Sequence, residues 1–130
     1  MAKVDEDKVR RDMVLLATIV KELRQTYPRM ELGQLHVLLL VLARPGVNLA
    51  DLVPPTRLTR SAVSRNALAL SQVSYLDDEA GGRRGGLDLL THFPDPHSTR
   101  AKIVAPTQKG RALAERLSSI LRGRAPLWLD

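Results

Sequence analysis

The chain has 130 residues, enough for one modest hydrophobic core and marginal for two. At 44% hydrophobic and 26% charged it has the balance of an ordinary globular chain rather than a disordered one. A formal net charge of +6 favours polyanionic partners, nucleic acid above all, and the absence of cysteine excludes disulfides, thiol redox sensing and thiolate metal sites.

The first element expected is a helix over residues 5–26. Val9, Met13, Leu16, Val20 and Leu23 step by four, three, four and three, which draws one apolar stripe along a helix. Asp5, Glu6 and Asp7 sit at its positive N-terminal end, and Tyr27-Pro28 ends it. Part of this stripe is a candidate surface for a second copy of the chain; packing within its own domain is the equal alternative. The residues before it mix charges and lack a signal-peptide apolar region. The most apolar run of the chain, Val37 to Ala43, is far too short to span a bilayer. A cytoplasmic protein with no membrane partner is expected.

A second helix is expected over roughly 31–43. Leu32, Leu35, Leu38, Leu39 and Leu42 run along it and Val37 and Val41 fill the remaining faces, so it should be buried nearly all round. His36 has no second histidine or carboxylate at ligand spacing and reads as a core or boundary residue, not a metal ligand. Arg44-Pro45-Gly46 supplies the break.

The stretch from Asn48 to Leu70 reads as a short helix, a turn and a second helix. Leu49, Leu52 and Val53 give the first an apolar side, and Pro54-Pro55 are expected to stop it. Thr59 is a good N-cap for the second, with Leu58 and Val63 placed as a hydrophobic staple. Val63, Ala67 and Leu70 should face inward, leaving Arg60, Ser61, Ser64 and Arg65 outward, with Arg57 in the turn before them. A supported helix that exposes arginines and hydroxyls in its first turns is what a DNA major groove accepts. The plain alternative is a helical hairpin with a solvated basic face.

Beyond this helix, Val73 to Leu76 read as its extension, followed by the acidic Asp77-Asp78-Glu79 and then Ala80-Gly-Gly-Arg-Arg-Gly-Gly. A phosphate loop needs a Gly-Lys-Ser/Thr ending, and Gly86 is followed by Leu87-Asp88, so that reading fails. A flexible connector is expected, with Arg83 and Arg84 as candidate phosphate contacts. Leu87 to Phe93 and Arg100 to Ala105 read as two strands joined by the turn-rich Pro94–Thr99 tip. His97, Arg100 and Lys102 lie on the tip and return strand of this hairpin. A last helix, 107–122, has Thr107 as N-cap, Leu113, Leu117 and Ile120 as its apolar line and Gly123 as its stop. The tail carries Leu127 and Trp128, either a loose end or an anchor on a neighbouring subunit.

Helix-turn-helix, hairpin and a capped helix in that order describe a winged helix. Ser61-Ala-Val-Ser-Arg in the recognition helix, and Asp95-Pro-His-Ser-Thr-Arg-Ala-Lys-Ile-Val-Ala-Pro-Thr-Gln-Lys-Gly-Arg across wing and helix start, resemble the MarR family of bacterial transcriptional regulators. The match covers about residues 32–121. The fold class so implied is mainly α with a small β-hairpin: a single winged-helix domain over 1–130, comprising an N-terminal dimerisation helix (5–26), helix-turn-helix and wing (31–105), and a C-terminal helix (107–122). The resemblance also implies a homodimer joined by its terminal helices, through Val9, Met13, Leu16, Val20, Leu117, Ile120, Leu127 and Trp128. Each recognition helix would enter a major groove of a pseudo-palindromic duplex, with Arg100 in the wing-arginine place reaching the minor groove. Thr107 and Gly110 match the family's helix start. Ser98 stands where the family has an aspartate beside that arginine, and Pro106 where it has a leucine. Compact relatives also occur on phages and plasmids.

Sequence-specific binding of double-stranded DNA by a dimeric repressor is therefore expected, with no cofactor and no metal. One Trp, two Tyr and one Phe give little material for an aromatic-lined effector pocket, so a small-molecule effector is unsupported. His36, His92 and His97 are dispersed and no nucleophile elbow or zinc motif occurs, which argues against an enzyme. The alternatives are a winged-helix adaptor that binds a partner protein, and a phage or plasmid replication or partition factor.

Overall fold

The computed structural model describes residues 5–71, 73–77 and 83–123. They divide into two compact units, one formed by the chain up to Met30 together with Leu113 onward, the other by Glu31–Ala112.

In the first unit, α1 (Glu6–Thr26) is capped by Asp5, whose carboxylate accepts from the amides of Asp7 (3.0 Å) and Lys8 (3.4 Å). This satisfies donors that the first helical turn leaves unpaired. The buried side chains of this unit are Thr18, Leu23, Tyr27, Leu113, Leu117 and Ile120. Of the stripe expected along α1, Leu23 alone is buried; Val9, Met13, Leu16 and Val20 are exposed. Arg116 donates to Glu22 across 3.0 Å, and burial pushes the Tyr27 hydroxyl above its ordinary pKa, opposed by the nearby Arg116 charge. The expected C-terminal stop is in place: the Gly123 amide closes on Ile120 O (3.0 Å) with the glycine at φ +70°.

The second unit is built on α2 (Leu32–Ala43), which packs on α4 (Arg60–Ala69). Gln34 accepts from the Glu31 amide at 3.1 Å and pins the start of α2. The expectation that α2 is buried all round is corrected. Val37, Leu38 and Val41 are buried, whereas Leu32 is 83% exposed and Leu39 and His36 are exposed as well. The valines, not the leucine stripe, supply most of the buried face, because an apolar helix has no polar side to dictate which way it turns.

Pro54 and Pro55 do not stop a helix; they begin one. A 3-10 turn over Leu49–Leu52 runs into α3 (Val53–Thr56), and both prolines lie in the first turn of α3, where their missing amide donors cost nothing. Arg57 ends α3 in the left-handed conformation (φ 57°, ψ 19°), its amide bonded to Val53 O at 2.9 Å.

The expected hairpin belongs to a three-stranded antiparallel sheet of order β1-β5-β4: β1 (Val47–Asn48), β4 (Leu90–Asp95) and β5 (Ser98–Pro106). The strand over β4 starts at Leu90 rather than Leu87, and the tip narrows to Pro96-His97 because Asp95 already pairs with Ser98. Pro94 is tolerated because β4 is an edge strand. Val73 to Leu76 do not extend a helix: β2 (Val73–Asp77) pairs antiparallel with β3 (Arg83–Gly85). The connector reading thus fails for residues 83–85, and residues 78–82 lie outside those described.

Residues 87–90 close the unit. The amides of Leu87, Leu89 and Leu90 bond to the carbonyls of Ala69 (3.2 Å) and Leu70 (2.7 and 3.0 Å) at the end of α4. The Leu89 and Asp88 carbonyls in turn accept from the Thr107 amide (3.0 Å) and hydroxyl (2.6 Å) at the start of α5 (Gln108–Leu121). No helix among the described residues is long and apolar enough to cross a membrane.

Candidate nucleic-acid interface

The site begins at Thr56. Its hydroxyl donates to Leu52 O (2.6 Å) and accepts from the Leu58 amide (3.3 Å), which folds the chain out of α3. Three residues after Thr56, Thr59, in extended conformation, accepts the Ala62 amide at 3.0 Å and caps α4. These local bonds fix the N-terminal end of the helix before tertiary packing is counted. Val63, Ala67 and Leu70 then anchor the inner side; all three are buried, as the spacing predicts.

Arg57, Thr59, Arg60, Ser61, Ser64 and Arg65 are all exposed. Arg57, Arg60 and Arg65 belong to no ion pair among the described residues, so their guanidiniums are free of competing carboxylates. A helix end with unpaired backbone donors, three cations and two serine hydroxyls can bond both phosphate oxygens and base edges.

On the wing, Lys102 and His97 are exposed. The backbone of Arg100 lies on β5 between Ser98 and Lys102, where the register shifts against Pro94 and Asp95; the backbones of Arg83 and Arg84 lie on β3. The side chains of these three arginines are outside what the structure describes, and Leu127 and Trp128 lie wholly outside the described residues. Leu117 and Ile120, expected at a dimer contact, are buried within the chain at 6% and 4% exposure and have little area left to offer a partner.

Two polar pairs at the wing were missed in the sequence. The Ser71 hydroxyl donates to Ala67 O (2.7 Å) and meets His92 Nδ1 at 3.1 Å, joining the end of α4 to β4. Because that single hydroxyl proton goes to Ala67, His92 must donate from Nδ1, and its Nε2 is left buried without a partner among the described residues. Burial, and then the Lys102 charge, lower the His92 pKa from its ordinary value. The second pair is Asn48 with Asp95, 3.2 Å apart. Asn48 had a legible signal as an N-cap for the turn that follows it; its partner 47 positions on had none.

An open groove of about 660 Å³ runs along α1, lined by Ala17, Val20, Lys21, Arg24, Gln25 and Pro28, with no aromatic side chain among them. Among the described residues no three His, Asp or Glu side chains gather as a metal site.

The fold superposes on several solved structures. RV1404 from Mycobacterium tuberculosis superposes with TM-score 0.66 at 20% identity over 95% of this chain and 78% of that one. MepR of S. aureus, solved in complex with DNA, superposes at 0.63 with 21% identity over 90% and 82%. A MarR transcriptional regulator from Methanosarcina mazei Go1 gives 0.58 with 17% identity over 92% and 78%. The fold is a MarR-like winged helix. No protein-family model and no curated protein matches the chain. In the terms of this fold, α4 is the second helix of the helix-turn-helix and the β4–β5 hairpin is the wing.

Proposed function

We propose that this chain is a sequence-specific double-stranded DNA-binding transcriptional regulator that acts as a homodimeric repressor in the cytoplasm, and not an enzyme. The observation that carries the reading is the outer face of α4, where Arg60, Ser61, Ser64 and Arg65 stand exposed on a capped helix. A net charge of +6 agrees with a polyanionic partner. In this reading the 1–130 chain forms one winged-helix domain; α4 enters the major groove with Arg57 and Thr59 at its approach. Lys102, His97 and Arg100 meet the adjacent minor groove, and Arg83 and Arg84 meet phosphates. The exposed α1 residues Val9, Met13, Leu16 and Val20, together with Leu127 and Trp128, join two copies, so the site is pseudo-palindromic.

Binding-site selection from random duplex, followed by titration of the selected site over a range of salt, tests this reading. The expected result is an inverted-repeat site and an affinity that falls steeply with salt, with a log–log slope of about −0.9 per phosphate neutralised. No enriched sequence and no salt-dependent duplex binding would overturn it and favour the protein-binding adaptor.

A further inference from the structure

Asn48 uses both atoms of its side-chain amide. Oδ1 accepts the Ala50 amide at 2.9 Å and caps the 3-10 turn that opens the helix-turn-helix. Nδ2 donates to Asp95 Oδ2 at 3.2 Å, in a part-buried bond that spans 47 positions of sequence. The other oxygen of the same carboxylate, Oδ1, accepts the His97 amide at 2.8 Å and so shapes the Pro96-His97 tip. One continuous chain of hydrogen bonds therefore runs from the first turn of the helix-turn-helix to the end of the wing.

The residue type fits this double use. A cap needs only an acceptor, and aspartate or serine would serve as well as asparagine. A carboxylate on the far side asks for a donor too. Among good capping residues, asparagine presents an acceptor and a donor from one planar group. The backbone reinforces the link, since Asn48 pairs with Ile103 of β5 and Asp95 is the last residue of β4.

We propose that Asn48 is a positioning residue for DNA binding: through Asp95 it sets the direction of the wing tip relative to the segment that presents α4. The proposal rests on the DNA-binding reading above. A duplex engages helix and wing together, so the angle between them decides whether both can touch the same site. Asn48 itself need not reach DNA.

The test uses two variants of the full chain. Asn48→Asp keeps the cap but sets two carboxylates against each other. Asn48→Asp combined with Asp95→Asn exchanges the partners, restores a donor and an acceptor across the same gap, and returns the net charge to that of the unmodified chain. Asn48→Asp is expected to speed amide exchange at His97 and to weaken binding to the selected duplex by about tenfold. The double variant should recover both to within about twofold, which a general charge effect or a lost cap does not explain. Equal affinity for Asn48→Asp and the unmodified chain would overturn the proposal. So would a double variant that stays weak while its thermal midpoint matches the unmodified chain. Should the unmodified chain bind no duplex at all, the DNA-binding reading falls, and this role with it; a His97 amide that still responds then separates that failure from a missing link between Asn48 and the tip.

Discussion

The carbonyl oxygen of Leu89 occupies the space at Gly110 that any other residue would fill with a Cβ. The same carbonyl accepts the Thr107 amide, and Thr107 Oγ1 in turn accepts the Gly110 amide at 3.0 Å. The segment that leads into β4 thus meets α5 through backbone, with a glycine making the approach possible. Gly110→Ala would drive a methyl group into a backbone carbonyl that is already hydrogen-bonded. We expect it to destabilise the fold by about 2 kcal/mol or more, read as a lower urea midpoint. Gly46→Ala is the informative contrast. Gly46 has φ +86° but open space where its Cβ would stand, so backbone strain of about 1 kcal/mol is the whole expected cost.

A second prediction concerns pH. The fold favours the neutral form of His92, since protonation would place a charge in a half-buried site near Lys102 and add an Nε2 donor with no acceptor among the described residues. Its folded pKa is therefore below the unfolded value of about 6.5. The unfolded chain then binds the proton more readily, so this contribution is complete above about pH 6.5 and is lost as pH falls from there through the folded pKa. Urea midpoints measured from pH 7.5 downward should fall across that window, and His92→Gln should flatten the part of the decline that His92 causes. An unchanged slope in the variant would mean that the ring does not titrate against folding.

What the sequence made legible was local. Thr59 as a cap, the inward line Val63–Ala67–Leu70 and the outward Arg60, Ser61, Ser64 and Arg65 all follow from bonds and spacings within one helix. Thr107 and Gly123 at the ends of α5 were legible for the same reason. Reading failed where the deciding partner is distant in sequence. The two residues of β1 are too few to show a period, and they are a strand only because β5 lies beside them. The partner of Val73–Asp77 is an Arg-Arg-Gly stretch with little strand propensity of its own. On α2 the apolar residues surround the helix, so nothing local marks Leu32 as outward-facing. The prolines after Val53 misled because a proline that breaks a helix interior is welcome in a first turn.

The proposed dimer gives a third prediction. Leu16 and Val20 are 53% and 49% exposed on α1 and lie on the same side as the exposed Met13 and Val9, an apolar strip left open to solvent among the described residues. Replacing Leu16 and Val20 together by glutamate should yield a folded monomer, because exposed side chains can become charged without a buried penalty inside the chain. Sedimentation velocity at micromolar concentration checks this directly. A unmodified chain that sediments as a monomer would remove the homodimer from the proposed function.

The last prediction separates reading from mere adhesion on α4. Arg60 is the first residue of the helix and Arg65 lies more than a turn further on; both are exposed and neither is tied to a carboxylate among the described residues. The N-terminal residues of a recognition helix are those that reach base edges, so Arg60 is the better candidate for a bidentate contact to guanine. Its replacement by alanine should then cost about 1–3 kcal/mol on the selected site and relax the choice at one base pair per half-site. Arg65→Ala should weaken selected and scrambled duplexes about equally and lower the steepness of the salt dependence by about one for each arginine lost from a phosphate. Titrating both variants against both duplexes at two salt concentrations distinguishes these roles. If Arg60→Ala lowers the two affinities in parallel, Arg60 holds phosphate, and sequence must be read by the hydroxyls of Ser61 and Ser64 or by the shape of the duplex.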